Sequence, residues 1–347
     1  MIFRRIKPLD AILDTAEKQA LKRQLGPFQL TMLGVGAIIG TGIFVLTAEA
    51  AQKAGPGMMA SFVIAGFVCG VTALCYAELA AMVPVSGSAY TYAYAVFGEL
   101  LAWMVGWALI LEYAIAASAV CVGWSKYDIG LVEHAFGVDL PAALTLGLFD
   151  GGIINLPAIG IGLLVTALLV RGTKESATLN AVLVVVKMAA LLMFIALSVP
   201  VIDGARFEPF APLGTPGIIG AAASIFFAYV GFDAVSTAAE ETKNPQRNLP
   251  IGLFGALIVC TVLYLLVAAG AIGAYGANPV FGADGMVLPP GSAALTARCA
   301  ELTAAGNLPL ACSGEALAHV LRSIGHGTAG NLLGLAVFVA LPSVILT

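Results

Sequence analysis

Gly40-Thr41-Gly42 sits inside the first long apolar stretch of the chain, Gly34-Val-Gly-Ala-Ile-Ile-Gly-Thr-Gly-Ile-Phe44. Each glycine weakens a helix by roughly 1 kcal/mol relative to alanine, so this cluster predicts a break in a helix. A break frees backbone N–H groups at the start of the second half and carbonyls at the end of the first. The amides, at the positive end of a helix dipole, suit a carboxylate. The carbonyls suit an ammonium or a cation. An amino acid carries both groups on one carbon. The amides of Gly40, Thr41 and Gly42 and the Thr41 hydroxyl are therefore candidate carboxylate ligands, and the carbonyls near Ile38 are candidate ammonium ligands. A second glycine-interrupted stretch, Ser224-Ile-Phe-Phe-Ala-Tyr-Val-Gly-Phe-Asp233, adds the carbonyls from Phe227 and Ala228 to Val230, with the Phe227 ring as a candidate lid. The competing reading is that the glycines only let helices pack closely, as small residues do in membranes, and that Phe227 is packing.

Three ionisable residues lie in apolar surroundings near these stretches. Lys187 stands in Asn180-Ala-Val-Leu-Val-Val-Val-Lys-Met-Ala-Ala. A lysine at the bilayer centre costs at least ~2.5 kcal/mol on insertion scales and is usually functional. Burial lowers its pKa, which would let it load and release a proton; the alternative is a fixed cation that props the broken helix. Glu112, at a depth that matches Lys187, either links to it or caps a local hydrogen-bond network. Asp233 follows the second break and is read as a bond to the backbone freed there. Glu78, Glu240 and Glu241 sit near span ends, where gate contacts or solvated side chains are expected.

These groups need elements that hold them at membrane depth. The chain is 60% hydrophobic and 10% charged, with mean hydropathy +0.98. A soluble domain carries about 25% charge, so this composition excludes an ordinary soluble protein. A helix of about 20 apolar residues spans the hydrocarbon core. Eight spans are predicted, over 28–52, 57–82, 98–125, 153–170, 177–201, 214–239, 249–275 and 328–347. The fold class is thus an all-α, multi-span membrane protein. Paired interrupted segments, here spans one and six, point to a transporter repeat and its binding site. Five spans per repeat would require spans six to ten, of which the chain supplies three. The organisation expected is an arm over 1–27, a first five-helix repeat over 28–201, and a partial second repeat over 202–347 whose loop 276–327 lies outside.

Basic residues orient the spans. With the N-terminus in the cytoplasm, ten Lys and Arg fall inside, including Arg4, Arg5, Lys7, Arg171 and Arg247, against five outside (Lys53, Lys126, Arg206, Arg298 and Arg322). The positive-inside rule favours that orientation in a cell membrane. The arm Met1–Gly26 is charged, helical in character and without the apolar core of a signal peptide. The tyrosines at 90, 92 and 94 suit an interfacial segment. A short helix near Ser313–Ser323 is expected, with Ser313 as N-cap and Glu315 in its first turn. Cys299 and Cys312 share the outer loop, where an oxidising exterior permits a disulfide and two free thiols are the alternative. His134, His319 and His326 are read as solvated loop side chains. No metal-ligand spacing, nucleotide-binding loop, nucleic-acid signature or nucleophile–base pair is present in the sequence. No cofactor and no enzymatic activity are expected.

Several motifs together resemble the amino acid–polyamine–organocation superfamily and, within it, the cationic amino acid transporter family. They are Gly34–Phe44, Tyr76-Ala-Glu-Leu-Ala-Ala-Met-Val-Pro-Val-Ser-Gly-Ser-Ala-Tyr90, Lys187, Phe226–Asp233 and Glu240-Glu-Thr-Lys-Asn-Pro-Gln-Arg-Asn-Leu-Pro250. The resemblance covers the chain from about residue 28 onward and implies a five-plus-five inverted-repeat (LeuT-like) transporter fold with broken helices 1 and 6. It implies alternating access, with Ile38, Gly40, Thr41 and Gly42 binding the amino acid backbone together with Phe227, Ala228 and Val230. Lys187 would match the lysine that replaces a sodium ion of sodium-coupled relatives, which implies proton symport, and Ser343 falls near the same place. Members of that family carry more spans than the eight read here, so a sequence truncated in its eighth span is expected. The expectation is a permease for L-amino acids that uses protons. The rivals are an amino acid or polyamine exchanger, and a transport-inactive sensor or partner subunit working with a small single-span membrane protein.

Overall fold

In the computed structural model the described residues are 23–83, 85–86, 88–137, 140–148, 151–171 and 176–346. The charged arm expected over Met1–Gly26 lies almost wholly outside them. Among the described residues the chain is helical, and its extended pairing is limited to two isolated bridges, Leu25 with Thr242 and Phe281 with Val287. The principal helices are α1 (Pro27–Ile38), α2 (Thr41–Ala54), α3 (Met58–Met82), α4 (Ser88–Val96), α5 (Glu99–Phe136), α6 (Leu156–Arg171) and α7 (Ser176–Ser198). They continue with α8 (Gly214–Ile225), α9 (Ala234–Thr237), α10 (Pro245–Tyr275), α11 (Ala293–Ala304), α12 (Ala316–Ser323), α13 (Gly327–Ala340) and α14 (Pro342–Leu346). Six stretches among the described residues are long and apolar enough to cross a membrane, and α1 and α6 are shorter apolar helices.

Each predicted span has a helical counterpart, with three differences. Span three runs eleven residues further than expected, to Phe136. Lys126, Asp128 and Glu133 lower its hydropathy, yet all three are compatible with a helix. Span eight is interrupted at Leu341, ahead of Pro342. Proline lacks the N–H that would continue a helix and crowds the preceding turn. The helix expected near Ser313 starts at Ala316 with Glu315 as its N-cap residue, and no side chain caps it.

The described chain divides into two compact units, Met1–Ile38 with Gly66–Ala116 and Tyr229–Cys260, and Ile39–Ala65 with Ala117–Ala228 and Thr261–Thr347. In the first unit α1 packs on α10 and α9 through small residues. A Cβ on Gly34 would stand 2.6 Å from the Ala256 Cβ and 2.8 Å from Val235. Glycines at 252 and 255 approach Leu30 and Thr31 as closely. Small residues let helix backbones meet at short range where lipid offers no hydrophobic drive between helices. The loop ahead of α10 is tied to the chain before α1, with Gln24 N donating to Glu241 O at 2.8 Å and Lys243 N to Leu25 O at 2.9 Å. Glu240 accepts the backbone N–H and the hydroxyl of Ser86 at 3.0 and 2.9 Å, so it fastens the segment before α4 rather than standing solvated.

In the second unit α8 packs along α2. Ser61 at the start of α3 donates its hydroxyl to Ile218 O on α8 at 2.8 Å. The turn from α2 to α3 is Gly55-Pro56-Gly57, where Gly55 takes φ +60°, a conformation favourable only to glycine. The long segment between α10 and α13 is anchored on α2 by one side chain. Gln52 is buried, donates to the carbonyls of Val280 at 2.9 Å and Leu288 at 2.8 Å, and accepts the Val280 N–H at 2.7 Å. Gln52→Leu would fill the same space and strand the Leu288 carbonyl and the Val280 N–H, while the Val280 carbonyl keeps the Leu288 N–H at 3.2 Å. Since an unsatisfied buried polar group costs about 1–3 kcal/mol, the variant is expected to lose about 2 kcal/mol or more. A fall in the thermal unfolding midpoint of the purified chain is the measurement. Cys299 and Cys312 are joined by a disulfide that links α11 to the turn at Leu310–Cys312. His319 is not a loop side chain: it lies in α12, donates from Nε2 to Leu308 O at 3.2 Å, and stands edge-on to the Tyr275 ring. His134 falls within α5 rather than in a loop.

Candidate functional site

The first break is real in structure. Between Ile38, the last residue of α1, and Thr41, the first of α2, Gly40 is extended, with φ −135° and ψ −151°, and no side chain caps α2. The first-turn amides of α2 therefore have neither an intrahelical partner nor a capping side chain. Thr41, Gly42, Ile43 and Phe44 are buried. The second interrupted span leaves α8 through a 3-10 turn at Phe226–Tyr229 and resumes helical form at Ala234.

Within the second unit these two segments touch. A Cβ on Gly42 would stand 2.4 Å from the Ala228 Cα and 2.5 Å from its Cβ, so the backbones meet at the closest range that glycine permits. Ala228 is buried and Phe227 half-buried. The Ala228 carbonyl already accepts the Tyr264 hydroxyl at 3.0 Å, and the Phe44 carbonyl accepts the Tyr127 hydroxyl at 2.9 Å. Each carbonyl retains a second lone pair. Gly123 on α5 gives room to the Thr41 side chain, and Gly40 faces Val344 of α14 at 3.3 Å from where a Cβ would stand. The interruption in span eight thus brings a third broken helix beside the first, a neighbour that sequence reasoning missed although Pro342 carried the signal.

Lys187 is 1% exposed on α7, which packs against α13, and Ser343 is equally buried, donating to Ala340 O at 2.6 Å. These two residues belong to the second unit along with Gly40, Thr41, Gly42, Phe227 and Ala228.

Ile38, Val230, Glu112 and Asp233 belong to the first unit. There the two interrupted spans also touch. Gly231 takes φ +106°, and a Cβ on it would stand 2.9 Å from the Ala37 carbonyl oxygen. Ile38 is buried and Val230 half-buried. Asp233 is 6% exposed, accepts the Tyr113 hydroxyl at 3.4 Å and stands beside the backbone N–H groups of Gly231 and Ala234. Tyr76 sets its ring edge-on to both Tyr92 and Phe232. Glu112 is exposed on α5. Among the described residues no group of three or more His, Cys, Asp or Glu could hold a metal ion.

A family profile described as amino acid permease matches residues 25–287. The methylthioribose transporter of Bacillus subtilis is 49% identical over 270 residues, covering 77% of this chain and 58% of that protein. The branched-chain amino acid permease BcaP of the same organism is 50% identical over 272 residues, covering 77% of this chain and 58% of that protein. The chloroplastic cationic amino acid transporter 9 of Arabidopsis thaliana is 42% identical over 252 residues, 71% of this chain and 44% of that protein. The chain thus spans about half the length of these relatives, from 44% to 58%. Its all-helical membrane architecture with interrupted helices agrees with that kinship, and the chain belongs to the amino acid permease family.

Proposed function

We propose that this chain belongs to a permease that moves L-amino acids across a cell membrane by alternating access, as a symporter that loads a proton on Lys187. The contact of Gly42 with Ala228 carries the reading. It sets uncapped amides at the start of α2 beside the backbone of Ala228 in the second break, the two kinds of backbone group that an amino acid's carboxylate and ammonium require. Within the first unit Ile38 and Val230 flank the same two interrupted spans, where Gly231 approaches the Ala37 carbonyl. Lys187 is a buried cation on a membrane helix, where a lysine readily shifts its pKa. Ser343 and Asp233 support this machinery, and Glu112 offers a carboxylate at span depth. The segments 28–201 and 202–347 belong to the two repeats. The N-terminus is cytoplasmic, which puts the segment 276–327 outside.

Val344, Ala228 and the Thr41 side chain around the break are apolar or small, which makes leucine the first substrate to try. The test is uptake of labelled leucine into proteoliposomes with and without an inward proton gradient. Accumulation driven by the gradient is the expected result. Exchange that ignores the gradient would overturn the coupling and leave an exchanger. Binding without any transport, with a second membrane protein retained on purification, would leave the sensor or partner subunit. The relative named for methylthioribose motivates a second reading, a permease for a neutral thioether sugar. Methylthioribose displacing leucine at equal concentration would favour it.

A further inference from the structure

Tyr127 and Tyr264 are among the largest fully buried side chains, and both belong to the second unit. Each donates its hydroxyl to a backbone carbonyl of an interrupted span. Tyr127 on α5 reaches Phe44 O at 2.9 Å and stands edge-on to the Phe44 ring. Tyr264 on α10 reaches Ala228 O at 3.0 Å and tilts against the Phe62 ring, with centroids 5.7 Å apart. The two bonds differ in what they fix. Phe44 lies inside α2, where the helical ladder already holds its carbonyl in line. Ala228 lies in the 3-10 turn Phe226–Tyr229, where the second span leaves its helix. Short 3-10 pieces have poorer hydrogen-bond geometry than an α-helix, so the turn alone sets the aim of the Ala228 carbonyl weakly.

A carbonyl oxygen has two lone pairs. The Tyr264 hydroxyl takes one at Ala228, which leaves the other for a ligand. A tyrosine has only two side-chain torsions, and the Tyr264 ring is wholly buried against Phe62. Its hydroxyl is therefore a fixed point, held by packing as a supporting group must be. Ala228 is 1% exposed and meets Gly42 at backbone range, so a small rotation of its peptide would turn the oxygen away from a ligand seated beside α2. We propose that Tyr264 is a positioning residue for amino acid binding: through its hydroxyl it aims the Ala228 carbonyl at the ligand's ammonium. The inference rests on the reading of the helix breaks as an amino acid site. Tyr264 touches no ligand itself and acts through Ala228.

Equilibrium dialysis of labelled leucine against the purified chain in lipid nanodiscs tests this, read as both affinity and leucines bound per chain. Tyr264→Phe keeps the ring on Phe62 and removes only the hydroxyl. A hydrogen bond to an ammonium is charge-assisted, so losing its aim should raise the dissociation constant about tenfold or more. The number of leucines per chain should stay the same, because the site persists. In place of Tyr264, 4-aminophenylalanine supplies a donor again and should restore most of the affinity. Tyr127→Phe deletes a like bond to a carbonyl that α2 already holds, and should leave the dissociation constant within about threefold. A chain with 3-fluorotyrosine at position 264 keeps the hydroxyl and the fold, and its fluorine NMR line should move as leucine saturates the site. A smaller rise in Tyr264→Phe, or fewer leucines bound at unchanged affinity, overturns the inference and leaves the permease reading intact. So does an equal rise in Tyr127→Phe, a donor that restores nothing, or a fluorine line that bound leucine does not move. An unaltered chain that binds no leucine overturns the reading of the breaks, and the role of Tyr264 with it.

Discussion

Gly42→Ala is expected to cut leucine binding at the helix breaks by about a hundredfold or more, and to lower stability by about 3 kcal/mol. The added methyl would stand 2.4 Å from the Ala228 Cα. That neighbour is backbone, so no side chain can swing aside, and α2 or the turn at Phe226–Tyr229 must shift. Overpacking of this kind costs about 1–3 kcal/mol and occasionally more. A displacement near 1 Å also misaligns amides and carbonyls that must meet one ligand together, and a hundredfold loss corresponds to about 2.7 kcal/mol of binding. Gly220→Ala on the neighbouring α8 is the control: a Cβ there meets nothing within 4 Å, and alanine gains up to roughly 1 kcal/mol of helix preference. Isothermal titration with leucine and thermal unfolding, read on both variants, separate the effects. Gly42→Ala that unfolds earlier yet binds leucine as tightly as before would reduce the break to close helix packing.

Lys187→Met is expected to abolish gradient-driven accumulation while leaving leucine exchange in place. One pH unit is worth about 1.4 kcal/mol per proton, so symport of one proton per leucine sustains about a tenfold accumulation ratio at that gradient. Without a group that titrates, the ratio falls to about one. Methionine matches the lysine stem in length and tolerates a packed environment, and Lys187 is buried in a helix that packs on α13. Lys187→Arg separates the two roles open to this residue. Arginine keeps its charge at every working pH, so it props the helix and cannot release the proton. Full accumulation in Lys187→Arg would make the lysine a fixed structural cation and end the coupling claim.

Much of this architecture is legible in residue order. Gly40 and Gly42 announced a break because a helix without side chains there is weak, and the extended backbone at Gly40 is the result. Gly231 announced the second, and its φ of +106° explains the residue type. Hydropathy located every span, since lipid demands apolar length, but it stopped short on α5. There Lys126, Asp128 and Glu133 ended the apolar run while the helix continued, with Tyr127 fully buried and Gly130 seated on Glu315. Lys126 and Glu133 line a cavity, which no local window can foresee. Ser313 looked like the cap of α12, yet Glu315 holds that position and is committed to Arg322 seven residues on. The meeting of Gly42 with Ala228 is invisible to sequence because it joins segments almost two hundred residues apart. Kinship to permeases was written in the motifs; the side on which each charge lies was not.

The bare start of α2 also sets a clock. The amides of Thr41, Gly42 and Ile43 have no carbonyl a turn earlier to hold them and no capping side chain, although they lie in a buried stretch. Amide hydrogens in the middle of an apolar helix exchange with solvent deuterium only when the helix opens, whereas unpaired ones exchange whenever water arrives. In a deuterium-exchange map the peptide around Thr41 should therefore label early, as an island between the slow peptides of α1 and the rest of α2. A carboxylate seated on those amides would silence the island, so the exchange of a few backbone hydrogens reports occupancy of the first helix break without any label on the solute.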